Sequence, residues 1–545
     1  MRSTRTWWRG KRACAAIAGA TAAVGAAALA VDTAAAADCG DLAGKQYGDA
    51  TIMAATTVSP PSSLMGLDPP APVAINAPFC RVEGLIKTSE SSQDHFEVWL
   101  PEKSAWNGKY QGVGNGGFAG SLILSPMTWA LQAGYAVSAT DTGHTGGTLY
   151  AAWALGHPRK IVDFGWRAIH ETAQASKAII ADYYGKPPAH AYFSGCSDGG
   201  REALMEAQRF PKDYEGIVAG APANSWTKLL TTGVSVEQAL DQPSAWLSPA
   251  KLAIISKAVF AQCPAESGYV EDPAQCRFDP ASLVCKAGQT EGCLTEPEAA
   301  ALKRIYSGLN DASGKTIFPG YSPGGEAGPA AWALWITGDE AHHTTGSLIN
   351  GFATGYFANM VFDKPDWRID GQNVSDDLAA AEKKTGEALD SSDPDLSAFR
   401  AAGGKLIQYH GWNDAGIPPQ SSVDYYEQSA SKMGGLDNIR SFYRLFMAPG
   451  MDHCGGGPGP SAIGGVFGLP SVSRDPGHDV VAALAHWVED GVAPNQIVAA
   501  RYRDNDPAKG VDAQRPWCAY PATARYSGQG DRSAAASYAC AAPSK

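Results

Sequence analysis

Ala191-Tyr-Phe-Ser-Gly-Cys-Ser-Asp-Gly-Gly-Arg-Glu-Ala203 is the stretch that decides the fold. A short apolar run, Ala191 to Phe193, reads as a strand that stops at Ser194-Gly195, and a helical pattern starts after Gly200. Between them, Gly195-Cys196-Ser197-Asp198-Gly199 fits G-x-S-x-G. In that motif the serine stands on a strained turn between strand and helix, and small residues two positions before and after let the backbone bend that tightly. The new helix starts beneath the hydroxyl, and its N-terminal N–H groups favour negative charge there. A Gly-rich turn that merely holds a serine is the plainer reading. The order strand, turn, helix instead makes Ser197 the candidate nucleophile.

Working outward, Gly216-Ile-Val-Ala-Gly220 is the next strand. On the other side, Asp163 to Tyr184 has helical spacing, with Trp166, Ile169, Ala173 and Ile180 on one face. Earlier strands are expected at Phe96–Leu100, alternating as a half-buried strand, at Tyr110–Val113 and at Tyr135–Ala139. Strand and helix alternating in this way mean an α/β fold with a parallel, doubly wound sheet. From about Ala223 to Arg400 tryptophans, prolines and four clustered cysteines replace the alternation. The core pattern resumes with strands at Lys405–His410 and Phe442–Phe446 and a helix at Val480–Val488. The expected organisation is a signal segment over 1–37, core over 38–222, an inserted lid over 223–400, and core again over 401–545.

The chain has 545 residues, 44% of them hydrophobic and 18% charged, as in ordinary globular proteins. Its net charge is −12. Residues 1–37 carry five basic side chains and one acid, a net +4, so the remainder stands at −16. Such an acidic body argues against nucleic acid or an anionic membrane as partner. The basic start, the uncharged run Ala13 to Val31 and Ala35-Ala36-Ala37 read as a secretory signal cleaved after Ala37. The run is mostly alanine and glycine, too weakly apolar for a permanent span, so no membrane attachment is expected after cleavage. The mature chain is therefore expected outside the cytoplasm, extracellular or periplasmic. Cleavage removes Cys14 and leaves ten cysteines, an even count that reads as disulfides in an exported protein. No C-x-x-C pair and no histidine pair at helical metal spacing is present, which argues against zinc.

Taken in order, Ser197, Asp414 and His453 give the Ser…Asp…His sequence of α/β-hydrolase triads, and the last two each follow an expected strand. His453 would accept the serine proton, and Asp414 would hold the imidazole tautomer. Asp452 is adjacent to His453, and consecutive loop residues seldom face each other correctly; His410 is the rival histidine, at a strand end ahead of the acid. The N–H of Asp198 and a glycine N–H from Gly116-Gly117, within Gly112-Val-Gly-Asn-Gly-Gly-Phe-Ala-Gly120, suit an oxyanion hole. Cys196 precedes Ser197 and Cys454 follows His453, so a triad that forms brings these two cysteines together as a disulfide.

Cys196-Ser197, Asp414 and His453-Cys454 resemble the Cys-Ser, Asp, His-Cys pattern of the tannase and feruloyl esterase family, which also includes the mono(2-hydroxyethyl) terephthalate hydrolases. Phe193 to Arg201, Gly220-Ala-Pro222, the large insertion and the ten-cysteine layout also fit. The resemblance implies an α/β-hydrolase with a lid, no cofactor for catalysis, and cleavage of esters of aromatic acids. It implies the pairings Cys39–Cys80, Cys263–Cys276, Cys285–Cys293 and Cys518–Cys540. Lids of the family often hold a structural calcium in an Asp-rich loop after a cysteine like Cys263. Here that loop offers only Glu266, Glu271 and Asp272, a poor set for a cation that takes about six to eight oxygens.

The expected activity is that of a serine esterase working through an acyl-enzyme on a small aromatic ester, with plant cell-wall hydroxycinnamoyl (feruloyl) esters favoured. Galloyl esters of the tannin type and terephthalate half-esters are the alternatives. A non-catalytic binding protein on the same fold, or an acyltransferase using an alcohol in place of water, are the rival classes. Trp332, Trp335, Tyr356, Phe357 and Phe362 of the lid would stack on the acyl group or form lid core.

Overall fold

Adjacent residues of the inner strands point into two different cores. Phe193, Ile217 and Leu406 pack on one face of the sheet. Tyr192, Val218 and Ile407, their immediate neighbours, pack on the other. Strands buried on both faces are what parallel strands covered by helices require, and the computed structural model contains them as half of a mixed sheet rather than the wholly parallel one expected. It describes residues 37–67, 70–263, 265, 268–464 and 470–542. The expected signal segment lies outside the described residues, apart from Ala37.

Ten strands of the described residues form the main sheet: β1 Gln46–Tyr47, β2 Ala50–Val58, β3 Phe79–Ile86, β4 Asp94–Pro101, β5 Lys109–Val113, β6 Ala136–Thr140, β7 His190–Cys196, β8 Gly216–Gly220, β9 Lys405–Gly411 and β10 Tyr443–Ala448. Their order is β1-β2-β3-β4-β6-β5-β7-β8-β9-β10. The first five are joined by antiparallel pairings and the rest by parallel ones. On one face lie α2 (Ala168–Tyr184), α3 (Asp198–Arg209) and α6 (Gln420–Lys432); on the other lie α1 (Leu124–Gln132) and α7 (Val480–Asp490). The order reverses around β5, so the loops leaving the carboxyl ends of β5, β7, β9 and β10 share one edge, the usual ligand edge of an open α/β sheet.

Two further expectations need correction. The Phe96–Leu100 strand is buried on both faces rather than half-buried. Its one charged residue, Glu97, mimics an outward position but is neutralised inside the sheet by Arg81 at 2.9 and 2.5 Å and by the indole N–H of Trp99 at 2.6 Å. The expected helix Asp163–Tyr184 opens with a wider turn over Asp163–Arg167 and becomes α-helical only from Ala168.

Between β8 and β9, which are sheet neighbours, the chain makes its long excursion. It includes α4 (Trp226–Leu240) and α5 (Leu348–Tyr356), and it builds two apolar clusters. The first also takes in Phe118, Trp153 and Phe164 of the core, so the excursion is anchored beside the Gly-rich loop that follows β5. All five expected cysteine pairs are joined: Cys39–Cys80, Cys196–Cys454, Cys263–Cys276, Cys285–Cys293 and Cys518–Cys540. The last closes a tail in which Thr523–Tyr526 pairs with Tyr538–Ala541.

Candidate active site

Ser197 is the single residue between β7 and α3, and it adopts φ 64° and ψ −119°, a conformation that costs a non-glycine residue free energy. The turn is held from both sides. The Ser197 N–H donates to the Gly220 carbonyl at 3.0 Å, and the Ser197 carbonyl accepts from Ala223 N–H at 3.1 Å. The flanking glycines are required by contact. A Cβ on Gly195 would stand 2.3 Å from the Gly199 carbonyl oxygen, and one on Gly199 would stand 2.7 Å from that of Asn115. The helix starts at Asp198 rather than after Gly200, which puts the first helical N–H, without an acceptor in its own helix, directly after the serine.

The loop after β5 lies across this elbow. The Asn115 N–H donates to Glu202 of α3 at 2.9 Å, and the Asn115 carbonyl accepts from Gly199 N–H at 2.9 Å. Further along, Phe118 N–H donates to Thr148 O, and a ring nitrogen of the buried His144 lies 2.7 Å from Phe118 O. Burial lowers the His144 pKa to about 4, so it is a neutral donor that pins the loop. Gly116 and Gly117 reach the cavity beside Ser197. The Asp198 side chain is committed elsewhere: it bonds Arg201 at 2.6 Å, and Arg201, fully buried, also donates to the carbonyls of Gly165 and Phe164. Only the backbone of Asp198 is therefore available to an oxyanion.

Asp414 sits in the turn after β9. Its Oδ1 accepts the N–H groups of Gly416 and Ile417 at 2.7 and 2.8 Å. Its Oδ2 lies 2.8 Å from Nδ1 of His453 and 3.1 Å from Nε2 of His410. Burial would raise its pKa, but the charge of His453 and the hydrogen bonds from both histidines outweigh burial and hold the carboxyl well below the usual range. Asp452 behaves oppositely: burial and the nearby Asp414 charge push it up to about 7. The structure thus brings Asp414, not Asp452, to the Nδ1 of His453.

His453 follows β10. Cys454, with φ 63°, is bonded to Cys196 with their Cα atoms 5.9 Å apart, so the base loop and the elbow are covalently joined. Ser197 and His453 line two adjoining cavities. One is a narrow slot of about 40 Å³ walled by Trp226, Leu229, Leu230, Ile349, Phe352 and Ile417. The other is an open cleft of about 400 Å³ past Ser121, Ile123 and Thr148. Trp335 borders both, its ring edge-on to His453 at 4.7 Å.

Of the five aromatics read as acyl-group contacts or lid core, only Trp335 lines either cavity. Trp332, Tyr356 and Phe357 are buried in the lid, and Phe362 packs against the same cluster as the last two. Sequence reading missed Trp226, Phe352 and the aliphatic wall, and it treated His410 as a competitor of His453. His410 touches Asp414 but lines neither cavity; its spacing of four residues from Asp414 was the available signal. The weak calcium set is only partly within the described residues. Glu266 lies outside the described residues, Glu271 faces Arg515 at 4.0 Å, and Asp272 accepts from Gln275 at 2.6 Å. Among the described residues no cluster of three or more His, Cys, Asp or Glu is arranged around a metal position.

Residues 80–541 match the family model described as tannase and feruloyl esterase. An uncharacterized esterase of Xanthomonas campestris pv. campestris is 40% identical over 545 residues, covering 95% of this chain and 93% of its own. A probable feruloyl esterase B of Aspergillus clavatus is 31% identical over 478 residues, covering 84% of this chain and 85% of its own. Among solved structures, the crystal structure of feruloyl esterase B from Aspergillus oryzae superposes with a TM-score of 0.83 at 28% identity, covering 91% of this chain and 98% of that one.

Proposed function

Since the chain belongs to the tannase and feruloyl esterase family and is therefore a carboxylic ester hydrolase, needing no cofactor for catalysis, we propose that Ser197, Asp414 and His453 carry the reaction and that its preferred substrates are hydroxycinnamoyl esters such as feruloyl esters. The observation that carries the triad is the 2.8 Å contact from Asp414 Oδ2 to His453 Nδ1, with the Cys196–Cys454 bridge drawing the serine elbow to the histidine loop.

Ser197 Oγ attacks the ester carbonyl carbon while His453 Nε2 takes its proton. The carbonyl oxygen becomes an oxyanion facing the N–H groups of Asp198 and of Gly116 or Gly117. The tetrahedral centre then expels the alkoxide, which leaves as the alcohol with the proton from His453. Water repeats the sequence on the acyl-serine: its proton passes to His453, its oxygen joins the acyl carbon, and Ser197 leaves with the proton restored. Asp414 stays ionised throughout and stabilises the imidazolium in each step.

The slot supports the substrate assignment. A terephthalate half-ester would bring a free carboxylate among walls that offer it no cation, and burying an unpaired charge is costly. A galloyl ring would bring three hydroxyls to the same apolar walls. In this reading residues 223–400 act as a lid whose walls hold the acyl group, and the alcohol departs through the cleft. Five disulfides support action outside the cytoplasm, on esters such as those of plant cell walls. Comparing kcat/KM on methyl ferulate, methyl gallate and a terephthalate half-ester tests the ranking: ferulate should lead by about tenfold or more, the scale of a missing or mismatched pocket contact. A lead for gallate would make the enzyme a tannase.

A further inference from the structure

His410 lies at the end of β9 with no exposed surface, one step behind the groups that touch substrate. Its Nε2 lies 3.1 Å from Asp414 Oδ2 and 3.1 Å from the Ile417 carbonyl oxygen. Both are acceptors, so Nε2 carries a proton. Its Nδ1 lies 2.7 Å from Ser422 Oγ on α6. Ser422 in turn accepts from the Gln408 amide at 2.5 Å, and Gln408 Oε1 accepts from the Tyr443 hydroxyl. Among the described residues the Ser422 hydroxyl, whose oxygen already accepts from Gln408, has no acceptor other than His410 Nδ1, so its proton points there and Nδ1 takes the acceptor role. The chain therefore runs in one direction, Tyr443 to Gln408 to Ser422 to His410 to Asp414, and Tyr443, Gln408, Ser422 and His410 are all fully buried.

We propose that His410 is a positioning residue for the esterase reaction: a neutral imidazole, fixed in the Nε2–H tautomer by the Tyr443–Gln408–Ser422 chain, that locks the Asp414 carboxylate in the rotation His453 requires. The proposal rests on Asp414 being the acid of the triad. Two backbone N–H groups hold Oδ1, yet the carboxylate needs a further donor to fix Oδ2, the oxygen that faces His453. His410 supplies it without adding charge. A cation at this position would offset the negative charge that Asp414 turns toward the transient imidazolium of His453; a neutral donor leaves that charge available. A buried network in which each member has one role also holds geometry more tightly than a single contact. His410 cannot replace His453 as base, because it reaches neither cavity that contains Ser197.

Four variants of the full mature enzyme test this, each checked for folding by thermal melt and assayed for kcat and KM on the best ester. His410→Met fills the space without a donor; kcat should fall about 10- to 100-fold, the range expected from loss of one hydrogen bond to a charged group, with KM within about twofold. His410→Gln can place an amide N–H where Nε2–H was, and should retain kcat within about fivefold of the parent. Ser422→Ala removes the proton that fixes the tautomer and should lower kcat about 3- to 10-fold with KM unchanged; it carries the test should His410→Met fail to fold. Equal losses in His410→Met and His410→Gln, a KM rise matching the fall in kcat, or no loss in either His410→Met or Ser422→Ala would overturn the proposal. Asp414→Asn separates the two levels of the argument. If it costs roughly 10³-fold or more while His410→Met costs nothing, the triad stands and only the role of His410 falls. If Asp414→Asn retains full activity, both fall.

Discussion

The loops that end β7, β9 and β10 and the helices of the excursion between β8 and β9 meet at the same cavities, but different forces hold their side chains there. Asp414 is fixed by four hydrogen bonds, the Ser197 backbone by bonds to Gly220 and Ala223, and His453 by Asp414 and a neighbouring disulfide. Each bond has a direction, so each position tolerates one residue type. The slot walls contributed by the excursion are held by apolar packing and, at Trp226, by the Arg201 guanidinium over its ring. Trp335 lies over Phe352 at 6.3 Å, and Ile349 is buried against the interior of the excursion. Such contacts have shape but little direction, so a wall residue can change while the lid still folds. In the function proposed above, the polar edge of the sheet sets which bond is cleaved, and the apolar excursion sets which acid carries it.

Ser197→Ala is the sharpest test of that division. If the hydroxyl is the nucleophile, as proposed, kcat should fall by roughly 10⁴-fold or more while the melting temperature stays within about 2 °C. Residual turnover within about tenfold of the parent would remove the triad, and the contrast between the two regions with it. Trp335→Ala probes the other region. It should lower kcat/KM on methyl ferulate about tenfold, mainly through KM, and leave turnover of a short acetyl ester within about twofold. A comparable loss on both esters would mean that Trp335 acts on His453, which it touches, rather than on the acyl group.

The same contrast explains how much the sequence revealed. The elbow, Asp414, His453 and the flanking cysteines could be read because directional chemistry restricts residue type and order. The inner strands could be read because a sheet buried on both faces leaves continuous apolar runs. The slot could not. Trp226, Leu229 and Leu230 on α4 and Ile349 and Phe352 on α5 show the same apolar stripe as Val234, Val236 and Leu240, which face the interior of the excursion. A helix face turned to a cavity and one turned to a core have the same pattern. The outer strand β2 was dim for another reason: six of the nine residues from Ala50 to Val58 are alanine or threonine, whose alternation carries little hydrophobic contrast. The role proposed for His410 was out of reach because it depends on Ser422 and Gln408, a hydrogen-bond direction that no spacing records.

The smallest expected effect concerns Asp452, the carboxylate beside the triad that is not part of it. Burial and the Asp414 charge raise its pKa from 3.8 to about 7 in the folded protein. The folded state therefore holds the Asp452 proton more tightly than the unfolded chain does. That preference stabilises the fold fully below about pH 4 and is lost as pH rises toward 7; above that, the fold keeps an ionised carboxylate in a buried site facing Asp414. Asp452→Asn removes the titration and keeps the shape. At pH 4, where the parent residue is protonated, variant and parent should melt together. At pH 8 the variant should melt about 1–4 °C higher, since relieving a buried charge is worth roughly 1–4 kcal/mol and a large chain converts each kcal/mol into a small temperature shift. Catalysis should stay within about tenfold of the parent if, as proposed, Asp414 sets the imidazole tautomer. Melting curves of both proteins across pH 4–8 decide the matter. A difference that is constant with pH, or largest at pH 4, would show that Asp452 is ionised throughout and is held by a stabilising partner. It would then belong with the directional contacts of the catalytic edge, and the tenfold limit on its contribution to turnover would have to be abandoned.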